Sequence, residues 1–188
     1  MDINLAIERI EESDLESLSS FCCGVNQIDV FFQKEVGACY KYRYVTPYKC
    51  VNADTREIIG AFTLANDLVT LPQDEMETIC DAIPEYAAIF AQQSSYPAIN
   101  ISHLAIRKDM QRKGIGQKIV NFVRITYTAN RSAGCQFLTV DALNEDGHRT
   151  VDFYTRKLGF IILSLADMYS PTRRLYMPLF ELANEIAI

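Results

Sequence analysis

Apolar and polar positions along the chain switch between a period of two and a period near three and a half, and the switches mark the elements. Residues 3–10, INLAIERI, are apolar-rich and predict an opening strand. DLESLSS follows, with Asp14 placed to cap a short helix. In FCCGVNQIDVFFQKEV, Val25, Ile28, Phe31, Phe32 and Val36 recur at helical spacing, and Asn26 is available as the cap. Tyr40, Tyr42 and Tyr44 then alternate with basic residues, which predicts a strand before Pro47. REIIGAFTLANDLVTL reads as one long strand or a hairpin arm.

Residues 72–97 change character. They are acidic at QDEMET, helical at METICDAI and end near Pro97, which predicts an insertion of one or two short helices. Residues 98–106, AINISHLAI, predict a strand, and RKDMQRKGIG a charged turn. The next helix, IGQKIVNFVRITYTAN, carries Ile115, Ile119, Phe122, Val123 and Thr126 along one stripe. CQFLTVDAL is a strand, and EDGHRTVDFYTRKLG a loop leading into a helix closed by Gly159. FIILSLADMY is a strand, and RRLYMPLF a last strand with Pro178 near its end. The alternation predicts one α/β (α+β) domain over residues 1–188. Its centre is a single mixed sheet of about six to seven strands, with helices on both faces.

Composition narrows the class. Apolar residues make up 49% and charged residues 22% of 188 positions, as in an ordinary globular protein with a sizeable core. No uncharged apolar run reaches about 18 residues, so no membrane span or membrane partner is expected. The opening MDINLAIERIEESD is acidic and broken by charges, unlike a signal peptide. Six cysteines without any C-x-x-C spacing predict neither a zinc site nor a disulfide framework, and a cytoplasmic setting is expected. Two histidines, His103 and His148, leave little for a metal centre, and none is predicted. A net charge of −6 argues against broad nucleic-acid binding, which needs cationic surface to release counterions, though a local basic patch is compatible with it.

The turn QRKGIG raises a choice. Glycines here serve a tight strand-to-helix turn, or they bare the backbone amides of a helix start for an anion. A dinucleotide fingerprint needs a third glycine where Ile119 stands, and a Walker loop needs Gly-Lys-Ser/Thr where Gly116-Gln117-Lys118 stands. Both fail. A pyrophosphate would be held by N–H groups from about Arg112 to Gln117, helped by the helix dipole. On the motif alone both readings stay open.

Context moves the balance. The chain resembles the GNAT superfamily of acyl-CoA-dependent N-acyltransferases, whose pyrophosphate loop reads Gln/Arg-x-x-Gly-x-Gly/Ala. Gln111, Gly114 and Gly116 match it, HLAIRKDM looks like the family's fourth strand, and FYTRKLGF like the segment after its fifth. The resemblance implies acetyl-CoA as acyl donor, with the main chain of Leu104, Ala105 and Ile106 pairing with the pantetheine arm. It implies that Gln111, Arg112, Lys113, Gly114, Ile115, Gly116 and Gln117 hold the pyrophosphate, and that Asn144 lies near the pantetheine. Tyr154 would protonate the departing thiolate. The implied reaction is direct attack of an amine on the thioester, with no cysteine as nucleophile.

Two departures bear on those roles. Family members place three residues between Phe-Tyr and Gly-Phe; here Thr155, Arg156, Lys157 and Leu158 intervene. The Asn144–Tyr154 spacing is also longer than usual. One extra helical residue turns everything beyond it by about 100°. Either a bulge restores the geometry, or Thr155 takes the expected tyrosine position; the intact Phe153-Tyr154 pair favours Tyr154. A general base is hard to name. Asn100 stands where many relatives carry a carboxylate, and the nearby polar residues are His103, more often structural on a strand, and Asp141.

FCCGVNQIDVFF is further similar to a segment of the acetyltransferase toxins of toxin–antitoxin pairs and their non-toxic relatives, through Phe21, Cys23, Gly24, Ile28, Asp29 and Phe32. Known toxins of that group acetylate aminoacyl-tRNA. YKYRYVTPYK interleaves basic and aromatic residues as a tRNA end would favour, and Arg173 and Arg174, in the turn before the last strand, would join it. A half-exposed strand would show the same alternation. The leading expectation is an N-acetyltransferase for a primary amine of a small molecule, peptide or protein, acting as a monomer or homodimer. The alternatives are a tRNA-directed, toxin-like enzyme with an antitoxin-like partner, and a catalytically impaired CoA-binding module.

Overall fold

The computed structural model describes residues 4–129, 133–145, 147–163 and 169–180. In chain order it contains β1 (Leu5–Arg9), α1 (Leu15–Leu18), α2 (Asn26–Val30), α3 (Val36–Lys41), β2 (Thr46–Asn52) and β3 (Ile58–Val69). Then come α4 (Gln73–Ala82), α5 (Pro84–Phe90), β4 (Tyr96–Ile106), α6 (Ile115–Ala129), β5 (Phe137–Leu143), α7 (Arg149–Asp152), β6 (Ile161–Ile162) and β7 (Thr172–Pro178). The strands form one mixed sheet in the order β1-β2-β3-β4-β5-β7-β6. β1 and β2 pair antiparallel with Ile7 opposite Cys50, and β2 and β3 with Tyr48 opposite Phe62. At the other edge β7 lies antiparallel to both β5 and β6, with Val140 opposite Leu175 and Ile161 opposite Tyr176.

The chain divides into two compact units. The first, Met1–Ala65 with Asn100–Tyr127, buries Ile10, Leu18, Phe21, Phe31, Phe32, Val36 and Val45 beside Ala61 and Ala105. Phe32 is its centre: Phe21 and Phe31 meet it edge-on, with ring centroids 5.9 and 5.2 Å away. Such T-shaped contacts add about 0.5–1.5 kcal/mol each beyond area burial. Phe31–Glu35 are wound as a π-helical turn between α2 and α3. That extra residue in the helix lets consecutive phenylalanines both point inward.

The second unit, Asn66–Ile99 with Thr128–Ile188, packs Val69, Met76, Ile79, Tyr86 and Tyr96 around Phe137 and Tyr176. Buried tyrosines need partners for their hydroxyls. Tyr96 donates toward the carbonyls of Phe90 and Gln93, each at 2.7 Å, and Tyr86 donates to Gln136 Oε1 at 3.1 Å. Among the described residues no helix is long and apolar enough to cross a membrane.

Several local expectations are corrected. Tyr40, Tyr42 and Tyr44 do not form a strand. They close α3 in a Schellman motif, in which Arg43 takes a left-handed φ of 58°. The Tyr44 N–H then reaches the Cys39 carbonyl at 2.9 Å, and the Arg43 N–H the Tyr40 carbonyl at 3.0 Å. Asn26 is the first helical residue rather than the cap, and its side chain gives no cap bond to α2. Asp14 serves the short 3₁₀ turn before α1, accepting the Glu11 N–H at 2.8 Å. Phe122 is 37% exposed and lies off the buried stripe, where Val120 takes its place beside Ile115, Ile119 and Val123. The predicted strand 160–169 is reduced to Ile161–Ile162, and residues 164–168 lie outside the described residues. Arg173 and Arg174 sit within β7, not in a turn before it.

Gly60 on β3 is required by close approach. A Cβ there would lie 3.0 Å from Ile106 Cδ1 and 3.2 Å from the Ala105 carbonyl oxygen, and the second contact is backbone that cannot swing aside. Gly60→Val is expected to lower stability by about 1–3 kcal/mol, as overpacking does. Urea denaturation monitored by circular dichroism reads the change, and an unshifted midpoint would refute the contact's importance.

Candidate active site

In the first unit, the site is built on the turn from β4 to α6. Ala105 is buried and anchors the end of β4, while Leu104 and Ile106 are half-buried. The Arg107 N–H bonds the Ile59 carbonyl at 2.9 Å, and the chain then turns through the 3₁₀ stretch Lys108–Met110. Gln111 fixes the exit. Its side-chain amide donates to the Ile106 carbonyl at 3.0 Å and to the Cys23 carbonyl at 2.7 Å. A pantetheine arm would therefore meet an Ile106 carbonyl already bonded once.

Beyond Gln111 the backbone takes left-handed turns at Arg112 (φ 60°) and Gly114 (φ 76°), and α6 starts at the buried Ile115. The left-handed region costs a residue with a Cβ about 1–2 kcal/mol, so Arg112 carries strain of that order. Strained, alternating backbone of this kind forms concave rows of N–H groups that suit anions. The first amides of α6 have no intrahelical acceptor, and the helix dipole adds positive potential there. A Cβ on Gly114 would meet nothing within 4 Å, so packing does not require the glycine; its positive φ does, and it leaves the space in front of the amides open. Arg112 and Lys113 are exposed beside it. The turn thus carries Leu104, Ala105 and Ile106 at the end of β4 and Gln111 to Gln117 at the start of α6, the two stretches the sequence marked for cofactor binding.

His103, also on β4, is held in the packing. It stacks flat on Phe31, with centroids 3.5 Å apart and planes 4° apart, and its Nδ1 lies 3.4 Å from Thr63 Oγ1. Burial pulls its pKa down to about 4, so the imidazole is neutral at physiological pH and serves as a packing plate. Asn100 is buried.

In the second unit, Tyr154 is 5% exposed and packs against Phe153 and Phe160, with centroids at 5.1 and 5.2 Å. Burial raises its phenol above the ordinary tyrosine value, so it holds its proton. The extra residue after it is absorbed by a π-helical turn, Phe153–Lys157, and Gly159, with φ 77°, follows two residues later. Thr155 is turned back on the helix, its hydroxyl donating to the Val151 carbonyl at 2.9 Å. Asn144 is buried and engaged: its Nδ2 donates to the Ser170 carbonyl at 3.0 Å and its Oδ1 lies 2.8 Å from His148 Nδ1. Asp141 pairs with Arg174 at 2.7 Å, and Arg174 also pairs with Asp67. Arg174 is therefore spent on two carboxylates rather than presented to an acceptor.

Sequence reasoning missed the carboxylate of Asp67 and the bonding role of Asp29. Asp67 interrupts the apolar run LANDLV, and that interruption was the available signal. Asp29 was noticed only as part of a motif. Burial pushes the Asp29 carboxyl upward, but bonds from Cys23, Cys22 and Gly24 outweigh this and hold it below the usual carboxylate range. Among the described residues, no group of His, Cys, Asp and Glu is arranged to hold a metal ion.

Residues 74–162 match the family model described as the acetyltransferase (GNAT) domain. Over that stretch the chain is similar to the acetyltransferase (GNAT) family, and an acyltransferase is the class this match supports. Solved structures similar to it over nearly the whole length include a mutant of KacT, 24% identical, with a TM-score of 0.72 over 96% of this chain and 98% of that one. A mutant AtaT toxin bound to the C-terminus of the antitoxin AtaR and acetyl-CoA is 20% identical, with a TM-score of 0.68 over 98% and 99%. AtaT complexed with acetyl-methionyl-tRNAfMet is 22% identical, with a TM-score of 0.72 over 97% and 99%. At these identities the likeness establishes the shared fold. Among curated proteins no sequence relative matches.

Buried His103 makes stability depend on pH. Its folded pKa of about 4 lies below the unfolded value near 6.5, so the unfolded chain takes up a proton first as pH falls. Stability is held above about pH 6.5 and declines as pH drops toward 4. Urea denaturation between those limits should show a shallower decline in His103→Phe than in the native chain. The imidazole C2 proton should titrate in NMR with a midpoint about 4, and a midpoint near 6.5 would overturn the burial argument.

Proposed function

We propose that this chain is an acetyl-CoA-dependent N-acetyltransferase that moves an acetyl group directly to a primary amine of a small molecule, peptide or protein. The observation that carries the reading is the turn Gln111–Gln117. Its backbone is left-handed at Arg112 and Gly114, open in front, and followed at once by a helix start. That is a pyrophosphate cradle made of main chain, with Arg112 and Lys113 adding charge beside it. The adjacent main chain at Leu104, Ala105 and Ile106 offers strand-type bonds to the amides of the pantetheine arm.

Chemically the protein must position the amine, stabilise the oxyanion and protonate sulfur. No acyl-enzyme is needed. The amine nitrogen forms the C–N bond, and the C–S bond breaks with its electron pair staying on sulfur. Tyr154 supplies the proton to sulfur; the proton lost by the nitrogen leaves through solvent, from which the phenolate is reprotonated. A buried phenol held in its protonated form suits that role, and the π-helical turn at Phe153–Lys157 supports Tyr154 over Thr155, whose hydroxyl is bonded to Val151. The same observation argues against the impaired-module alternative. Asn144 is proposed near the pantetheine as a fixed backbone point, its side chain being engaged by Ser170 and His148.

A second reading has its own support. Tyr40, Tyr42 and Tyr44 are 40%, 77% and 73% exposed, with Lys41 and Arg43 between them, and they sit at a helix end rather than on a half-buried strand. An exposed aromatic and basic strip can stack bases and meet phosphates. A structural neighbour is complexed with acetyl-methionyl-tRNAfMet and another with an antitoxin, which supports a toxin-like acceptor and partner for this chain. Growth arrest on expression, together with acetylation of charged tRNA in extracts, favours the toxin reading. Harmless expression with activity on small amines favours the first.

Calorimetric titration with acetyl-CoA should give saturable binding that Gly114→Glu abolishes, because the new carboxylate fills the open space and repels phosphate. Binding equal in both proteins would make the turn architectural. Tyr154→Phe should lower kcat by at least about 10²-fold with acetyl-CoA affinity preserved, while Thr155→Val should cost far less. The reverse ranking would move the acid to Thr155.

A further inference from the structure

The elbow Phe21–Gly24 makes hydrogen bonds in two directions. Its carbonyls point outward to three partners. Phe21 accepts Gln33 Nε2 at 2.7 Å, Cys22 accepts the Lys108 N–H at 3.0 Å, and Cys23 accepts Gln111 Nε2 at 2.7 Å. The last two partners belong to the cofactor turn. Its donors converge on one carboxylate: Asp29 accepts the Cys23 N–H at 2.6 Å, the Gly24 N–H at 3.1 Å and the Cys22 thiol at 3.4 Å.

Peptide planarity couples the two directions. The Cys22 carbonyl and the Cys23 N–H lie in one rigid plane, and the Cys23 carbonyl and the Gly24 N–H in the next. By gripping both N–H groups, Asp29 sets the direction of both carbonyls that hold the turn. Gly24 permits this with a left-handed φ of 86°, and the Lys108 stem lies 3.6 Å from where its Cβ would stand. Asp29 is 9% exposed, and a carboxylate that buried is tolerated only when such charge-assisted bonds satisfy it.

We propose that Asp29 is a positioning residue for the CoA pyrophosphate: through the Cys22 and Cys23 carbonyls it fixes Lys108 and Gln111, and with them the amides from Arg112 to Gln117. The proposal rests on the acetyl-CoA reading above. It assigns the segment FCCGVNQID a task in donor binding rather than in choosing the acceptor.

Asp29→Asn keeps the shape but offers one carbonyl oxygen where two N–H groups need an acceptor. Calorimetric titration compares CoA with pantetheine, which lacks the pyrophosphate. Affinity for CoA should fall about tenfold, the loss of roughly one charge-assisted bond, while affinity for pantetheine stays within about twofold. Gln111→Met should give the same selective loss, and the double variant little more than either alone. Equal weakening toward both ligands, or unchanged CoA affinity in a folded Asp29→Asn protein, would overturn the proposal. Should Asp29→Asn fail to fold, unchanged CoA affinity in Gln111→Met would overturn it equally. If the native chain itself binds no CoA, the donor reading fails first, and the two failures are thereby distinguished.

Discussion

Between Ile106 and Ile115 the backbone must leave a strand, reverse, and enter a helix without covering that helix's first amides. This constraint orders the turn between β4 and α6. A side chain packed over the turn would satisfy the polar backbone but block an anion, so the turn is held from behind instead. Gln111 bonds inward to Ile106 and Cys23, and Lys108 bonds to Cys22. The outward face is left to Gly114 and to the left-handed Arg112. About 1–2 kcal/mol of local strain at Arg112 is offset by these inward bonds, which are individually worth a similar amount.

Two π-helical turns solve similar problems in different units. Phe31–Glu35 lets Phe31 and Phe32 both enter the core, where Phe31 also backs the His103 ring. Phe153–Lys157 absorbs one residue so that Tyr154 stays buried while Gly159 still closes the helix with its positive φ. Each is a local widening where one residue more than an α-helix allows must be accommodated, a feature frequent at functional sites.

Long periodic segments were legible in the sequence. β3, β4, β5 and α6 follow their apolar patterns closely, and Gly114 marks the turn from β4 to α6 because few other residues tolerate its φ. What stayed hidden has identifiable causes. The tyrosines at 40, 42 and 44 imitated strand alternation because Arg43, not glycine, occupies the left-handed closing position of α3. Asn26 looked like the cap, whereas the carboxylate that matters, Asp29, reaches back outside the helix to Cys23 and Gly24. Arg174 looked free for an acceptor, because its partner Asp67 lies 107 residues away in the chain. Local pattern cannot report a pairing set by sheet order. The π-helical turns were legible as a spacing anomaly in one case and silent in the other.

Burial of Tyr154 bears on how the proposed proton transfer is driven. Desolvation raises the phenol, which taken alone makes it a weaker acid for sulfur. The thiolate of a departing CoA would form against the same buried ring, however, and desolvation penalises that anion too. Proton transfer depends on the difference between the two acids, not on either value. Ordinary values near 10 for a phenol and 8.5 for a thiol leave about 1.5 units, or roughly 2 kcal/mol, against full transfer. That gap is small compared with the cost of leaving a bare thiolate in an apolar setting, so a hydrogen bond from Tyr154 that tightens as the C–S bond lengthens suffices. On the proposed mechanism the apolar wall of Phe153 and Phe160 would serve the chemistry: it would keep the phenol protonated before reaction and make the unprotonated thiolate costly during it.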